Sequence, residues 1–294
     1  MTARAGAFGC AVRRTVVALA VGLVLQVAAP ENGLAAPACP PMQAGTLAVN
    51  ADGGDPNAAA GGIVALPSLA DRLHGPDAIA ILAIGSSSTE GVGASSPAFS
   101  YPAQLQNALR ELWHRDDVTV LNAGIGGEIA ARAVERLTAA LADRPIALVI
   151  WQVGTNDILQ GVDEAAFREE LDRGVAVVRA AKADLLLLDP QFFTRIRDFV
   201  RFERFNAAIA ETANARHVPL FSRYAFMKDA NLRAPETLGA MLSRDGMHMS
   251  DFGYGCISDR LADAIRTLTD PARVASAEAL VPMATLAATE AVPR

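Results

Sequence analysis

Metal chemistry has little to work with in this sequence. Its 294 residues hold four His and three Cys, and their spacing matches no zinc site. Basic clusters interleaved with aromatics are missing too. Aromatics are 5% of the chain and the net charge is −6, which excludes the footprint of a nucleic-acid binder. No apolar run reaches the roughly 20 residues of a membrane span. Cofactor loops are equally absent. Gly124-Ile-Gly-Gly127 lacks the third glycine and the ribose-binding acid of a dinucleotide fingerprint, and no phosphate-loop lysine follows Ser86–Thr89. Neither a cofactor nor a metal is expected. Position 89 is Thr, so the Gly-x-Ser-x-Gly nucleophile elbow is missing as well. No internal repeat is visible.

What is present suffices for a large core: 51% of residues are hydrophobic and 20% charged. Residues 1–36 have the form of a cleaved export signal. Arg4, Arg13 and Arg14 make a positive start, Thr15–Ala29 is almost wholly apolar, and Gly33–Ala36 supplies small residues for cleavage. The expected location is secreted or periplasmic, with no stable membrane span once the signal is removed. Cys10 leaves with that segment. Cys39 and Cys256 then either form a disulfide, as an oxidising compartment permits, or stay as one exposed and one buried thiol. Residues 37–76, rich in Pro, Gly, Ala and Asp, are expected to be a flexible arm, with the globular domain at 77–268. Residues 269–294 form an Ala-rich tail without an apolar stripe, expected to be poorly ordered.

Within the domain, continuous apolar runs alternate with helical periodicity. Strands are expected at Ala78–Ile84, Val118–Leu121, Ala147–Val153, Leu185–Leu188 and Val218–Phe221. Helices are expected at Tyr101–Trp113, Glu128–Leu141, Glu164–Lys182, Phe199–Arg216 and from Asp251 to about Thr267. Five apolar strands alternating with helices predict an α/β fold, a parallel sheet covered on both faces.

Chemistry is expected at the carboxyl ends of such strands. Gly85-Ser86-Ser87-Ser88-Thr89 follows the first strand, Asn122–Gly127 the second and Gly154-Thr155-Asn156-Asp157 the third. The serines are either a helix cap or a nucleophile. The glycine turn is either punctuation or a backbone N–H aimed into a site. Asn156 is either a turn residue or a side-chain donor to an oxyanion. Asp245 and His248, three apart, let a carboxylate fix an imidazole tautomer so that the ring can activate a serine. Gln191–Arg195 follows the fourth strand and either lines the site or, through Phe192 and Phe193, packs under a helix.

Taken together and in this order, the four segments resemble the SGNH/GDSL hydrolase family. The resemblance covers about residues 78–268 and implies a three-layer α/β/α, flavodoxin-like sandwich with a five-stranded parallel sheet. Ile84-Gly-Ser-Ser-Ser-Thr-Glu-Gly91 is similar to the family's Gly-Asp-Ser block and implies Ser87 as nucleophile. By the same resemblance, Gly127 donates a backbone N–H and Asn156 a side-chain N–H to the oxyanion, with the Ser87 N–H as third donor. His248 is then the base and Asp245 its orienting acid. One departure stands out: Ser86 occupies the place of the family's Asp, removing a carboxylate from the turn.

The implied activity is acyl transfer through an acyl-enzyme, in an exported serine esterase acting on a small-molecule, lipid or glycan ester. The same triad would serve an O-acyltransferase with a sugar acceptor. A catalytically silent carbohydrate-binding protein on this scaffold is the alternative from another class.

Overall fold

The computed structural model describes residues 38–43, 46–48, 66–270 and 272–273. The expected signal segment, and all but the start of the expected tail, lie outside the described residues.

In chain order the elements are β1 (Leu47–Ala48), α1 (Pro67–His74), β2 (Ile79–Gly85), α2 (Ser87–Glu90), a 3₁₀ turn at Pro97–Phe99, α3 (Tyr101–Trp113), β3 (Val118–Gly124), α4 (Ala130–Asp143), β4 (Leu148–Gln152), α5 (Thr155–Leu159), α6 (Glu164–Ala180), β5 (Asp184–Leu188), α7 (Phe199–Ala215), β6 (Leu220–Phe221), α8 (Arg223–Arg233), α9 (Pro235–Met241) and α10 (Asp251–Leu268). The sheet order is β1-β6-β5-β4-β2-β3. Strands β2 to β6 are parallel, and β1 pairs antiparallel with β6.

Burial explains the sequence pattern. Every residue of β4 and β5 is buried, as a strand covered on both faces requires. At the sheet edge β3 alternates instead: Val118 and Val120 are buried while Thr119 is exposed. Helices α3 and α10 pack together on one side of the sheet, and α4, α6 and α7 pack in succession on the other. Side chains fix several helix starts. Asp163 accepts from the Ala165 and Ala166 N–H groups, Asp198 from Arg201 N–H, and Ser250 from Gly253 N–H.

Reading the five parallel strands in chain order gives 2-1-3-4-5, with β2 first and the order reversing at β2. In such a sheet the crevice opens at that switch point. Loops after β2, β3 and β4 leave adjacent strands, so their residues converge although they lie far apart in sequence.

Two features differ from the sequence expectations for physical reasons, and a third resolves an alternative left open there. First, structure begins before Pro76. Within the expected 37–76 arm, α1 buries Leu66 and Leu69 completely and β1 extends the sheet as a sixth, antiparallel strand. Pro67 at the helix start supplied the cue, but eight residues are too few for a clear period. Second, α8 and α9 occupy a stretch for which no element is expected; α8 begins on a fully buried Arg223, whose charge interrupts the face carried by Phe226, Met227 and Ala230. Third, Cys39 and Cys256 form a disulfide with a Cα–Cα distance of 5.3 Å, which settles the open pairing and ties the N-terminal segment to α10.

Candidate active site

Strand β2 delivers its carboxyl end straight into α2. Ser86 precedes the helix with φ −97° and ψ −151°, and Ser87 is the first helical residue. The Ser86 carbonyl accepts from the Thr89 and Glu90 N–H groups, both at 2.9 Å. In a trans peptide the next N–H points the opposite way, so Ser87 N–H faces out of the helix start. No acceptor takes it among the described residues.

Ser87 Oγ–H donates to His248 Nε2 at 2.9 Å, and His248 Nδ1–H donates to Asp245 Oδ2 at 2.6 Å. A carboxylate only accepts, so the proton sits on Nδ1 and Nε2 is left to receive the serine proton. The other oxygen, Asp245 Oδ1, accepts from the Met247 N–H at 2.8 Å, the His248 N–H at 2.9 Å and the Ser243 hydroxyl at 2.9 Å. Partial burial alone would raise the Asp245 carboxyl. Hydrogen bonds from the His248 ring, the two backbone N–H groups and Ser243 outweigh it and hold the group well below the usual carboxylate range. The Asp–His turn is itself closed as a small hairpin: Ser243 N–H donates to the His248 carbonyl at 2.8 Å, and Leu242 bridges Met249.

Two further donors come from the neighbouring strands. Gly127, after β3, has φ +78°, while a Cβ there would meet nothing within 4 Å. Backbone conformation, rather than crowding, is what favours glycine at this position. The Gly127 carbonyl accepts from Gln160 Nε2 at 2.7 Å, which fixes the loop, and among the described residues no acceptor takes the Gly127 N–H. Asn156, after β4, donates one Nδ2–H to the Glu128 carbonyl at 2.9 Å, and the amide has a second N–H to give. Glu128 is held in turn by Arg136 at 2.6 Å.

Several supporting residues escape a sequence reading. Gln152, at the end of β4, accepts through Oε1 from the Ser86 N–H and the Ser86 hydroxyl, both at 2.9 Å. A weaker approach from Thr89 Oγ1 adds to these at 3.4 Å. The Ser86 turn, lacking the family's carboxylate, thus leans on an amide from the adjacent strand. The sequence places Gln152 only within the expected strand at 147–153; its polarity inside an otherwise apolar run was the available signal. Asp157 accepts from Ala130 N–H at 3.0 Å and so pins the start of α4; burial pushes its carboxyl up to about 6. In the Gln191–Arg195 loop, Phe192 and Phe193 are buried in packing against Tyr224 and Phe202. Gln191 reaches the Ser88 hydroxyl at 3.1 Å, and Arg195 donates to the Asp245 carbonyl.

Known proteins are similar to this chain over most of its described length. Residues 56–270 match the model of the non-GDSL lipase-like family. Esterase TesA of Pseudomonas aeruginosa is 30% identical over 170 residues, covering 57% of this chain and 78% of that protein. Thioesterase 1/protease 1/lysophospholipase L1 of Escherichia coli K12 is 27% identical over 193 residues, covering 65% of this chain and 85% of that one. A solved two-domain esterase active on acetylated mannans shares the fold, with a TM-score of 0.58 at 21% identity. The match covers 68% of this chain and 52% of that one, so this chain spans about half of the two-domain protein. With the family model matched across most of its length, the chain belongs to the non-GDSL lipase-like family and is a carboxylic ester hydrolase of the SGNH/GDSL type.

Proposed function

We propose that the chain is an exported serine esterase that hydrolyses acyl or acetyl esters through Ser87, His248 and Asp245. The unbroken hydrogen-bond chain from Ser87 Oγ through both ring nitrogens of His248 to Asp245 carries this reading. As Ser87 Oγ bonds to the ester carbonyl carbon, its proton passes to His248 Nε2. The developing imidazolium is stabilised by Asp245. The oxyanion is received by the N–H groups of Ser87 and Gly127 and by the free amide hydrogen of Asn156. The carbon–oxygen bond to the alcohol then breaks, and His248 returns the proton to the leaving oxygen. Water, deprotonated by the same ring, releases the acid and restores Ser87.

Export is supported by the positive, apolar and small-residue pattern of residues 1–36 and by the Cys39–Cys256 disulfide. No helix among the described residues is long and apolar enough to cross a membrane.

A series of p-nitrophenyl esters of increasing acyl length tests the reading. The full chain should release p-nitrophenol from at least the short members, with an initial burst if deacylation is slow. Ser87→Ala should reduce turnover to background. Hydrolysis that survives in Ser87→Ala rules the triad out.

A further inference from the structure

Two arginines lie beside the Asp245–His248 turn, and neither meets a carboxylate among the described residues. Arg115, Arg136, Arg168 and Arg216 each pair with a carboxylate. Arg195 and Arg244 reach none among the described residues. Arg195 is not loosely placed. Its guanidinium donates to the Asp245 carbonyl and lies against Gly246, where a Cβ would collide with it. That single bond leaves most of its N–H donors unused. Arg244 precedes Asp245 and lines a cleft of about 540 Å³ together with Gly93, Ser95, Ser243, Asp251 and Phe252. Gly93 places this cleft beside the base, because a Cβ on it would lie 3.0 Å from His248 Cβ.

Both acids of the cleft are already occupied. Asp251 accepts from the Ser95 N–H at 2.7 Å and the Ser95 hydroxyl at 2.5 Å. Asp245 serves His248 and its own turn. The guanidinium donors of Arg195 and Arg244 are therefore not taken up by either acid of the cleft. Their side of the site also matters. His248 returns the proton to the departing oxygen, so the alcohol portion of the ester leaves on the His248 side.

We propose that the alcohol portion of the substrate carries an anionic group, a carboxylate or a phosphate, which Arg195 and Arg244 hold beside His248. The proposal rests on the esterase reading and deepens it. Guanidinium suits either anion, because its fork of donors matches two oxygens at once.

The test uses three acetate esters of the full chain's assay: 4-acetoxybenzoate, the neutral 4-acetoxybenzamide and 4-acetoxyphenyl phosphate. Comparing each variant's ratio of anionic to neutral kcat/KM cancels the intrinsic reactivity of the esters. Arg195→Gln combined with Arg244→Gln should lower that ratio about tenfold or more, mainly through KM, as expected for loss of a charge-assisted hydrogen bond. Added salt should lower it in the wild type and not in the double variant. Arg132→Gln, a remote surface change on α4 that breaks the pair with Glu135, should leave the ratio where it was. A fall confined to the benzoate or to the phosphate supports the proposal and names the anion. An unchanged ratio overturns it. So does an equal loss on all three esters, which would make Arg195 only a brace for the Asp245 loop. Hydrolysis of none of them by the wild type refutes the esterase reading and this inference with it.

Discussion

At the scale of single residues, the neighbours of Ser87 decide its geometry. Gln152 is 2% exposed, and its carbonyl oxygen takes both the Ser86 N–H and the Ser86 hydroxyl. Replacing it with Leu strands those two donors in the interior, at about 1–3 kcal/mol for each unsatisfied group. Gln152→Leu should therefore lose stability in urea unfolding and also lose kcat, because the Ser86–Ser87 peptide carries the proposed oxyanion donor. A variant that keeps full kcat would show that Gln152 only packs. Asn156→Ala should cut kcat about 10²–10³-fold with a smaller effect on KM, the loss typical of one oxyanion donor. Asp245 sets a pH boundary. Its carboxyl lies below the ordinary range, so its contribution to stability is present above about pH 4 and is lost as pH falls through its folded pKa. Loss of activity between pH 5 and 7 is consequently not a titration of Asp245.

Secondary-structure elements show what a sequence can and cannot convey. Helix α3 matches its expected bounds, Tyr101–Trp113, because Leu105 and Leu109 repeat at helical spacing behind Pro102. The hydrogen-bonded pair of Asp245 and His248 was legible because the two residues share one short turn. The register among Ser86, Ser87 and Ser88 was not legible from the residues themselves, since it depends on where β2 ends and α2 begins. The family resemblance pointed to Ser87, and it is Ser87 that meets His248. Gln152 and Arg195 act across strands and loops, and no local pattern announces such contacts. Helix α8 is a similar case. Its capping Ser222 donates to the buried Asp189 at 2.6 Å, and Tyr224 N–H donates to the same carboxyl at 2.8 Å. Burial pushes Asp189 up to about 7, against the pull of Ser222, Tyr224 and Arg223. A carboxyl raised in the folded state favours folding most below its unfolded pKa of about 4 and loses that advantage as pH rises towards 7. Asp189→Asn should flatten that decline in unfolding free energy between pH 4 and 7. An unaltered slope would mean that Asp189 titrates alike in both states.

For the molecule as a whole, the sheet order concentrates the chemistry and the disulfide closes the chain. Ser87, Gly127 and Asn156 leave three adjacent strands, β2, β3 and β4, at the switch point. Cys39 and Cys256 are 217 residues apart in sequence, a separation that says nothing about distance in space, so their pairing could not be read in advance. Closing so long a loop restricts the unfolded chain, and its removal typically costs about 2–5 kcal/mol. Cys256→Ala, or reduction of the wild type, should lower Tm while the triad geometry persists. A Tm indifferent to reductant would contradict that role.

The central claim is that Ser87, and neither of its serine neighbours, is the nucleophile. Labelling the full chain with a fluorophosphonate and locating the adduct by peptide mass spectrometry tests it most directly. The account predicts a single adduct on Ser87, absent in Ser87→Ala and in His248→Ala. An adduct on Ser86 or Ser88, or labelling that persists in Ser87→Ala, would contradict it.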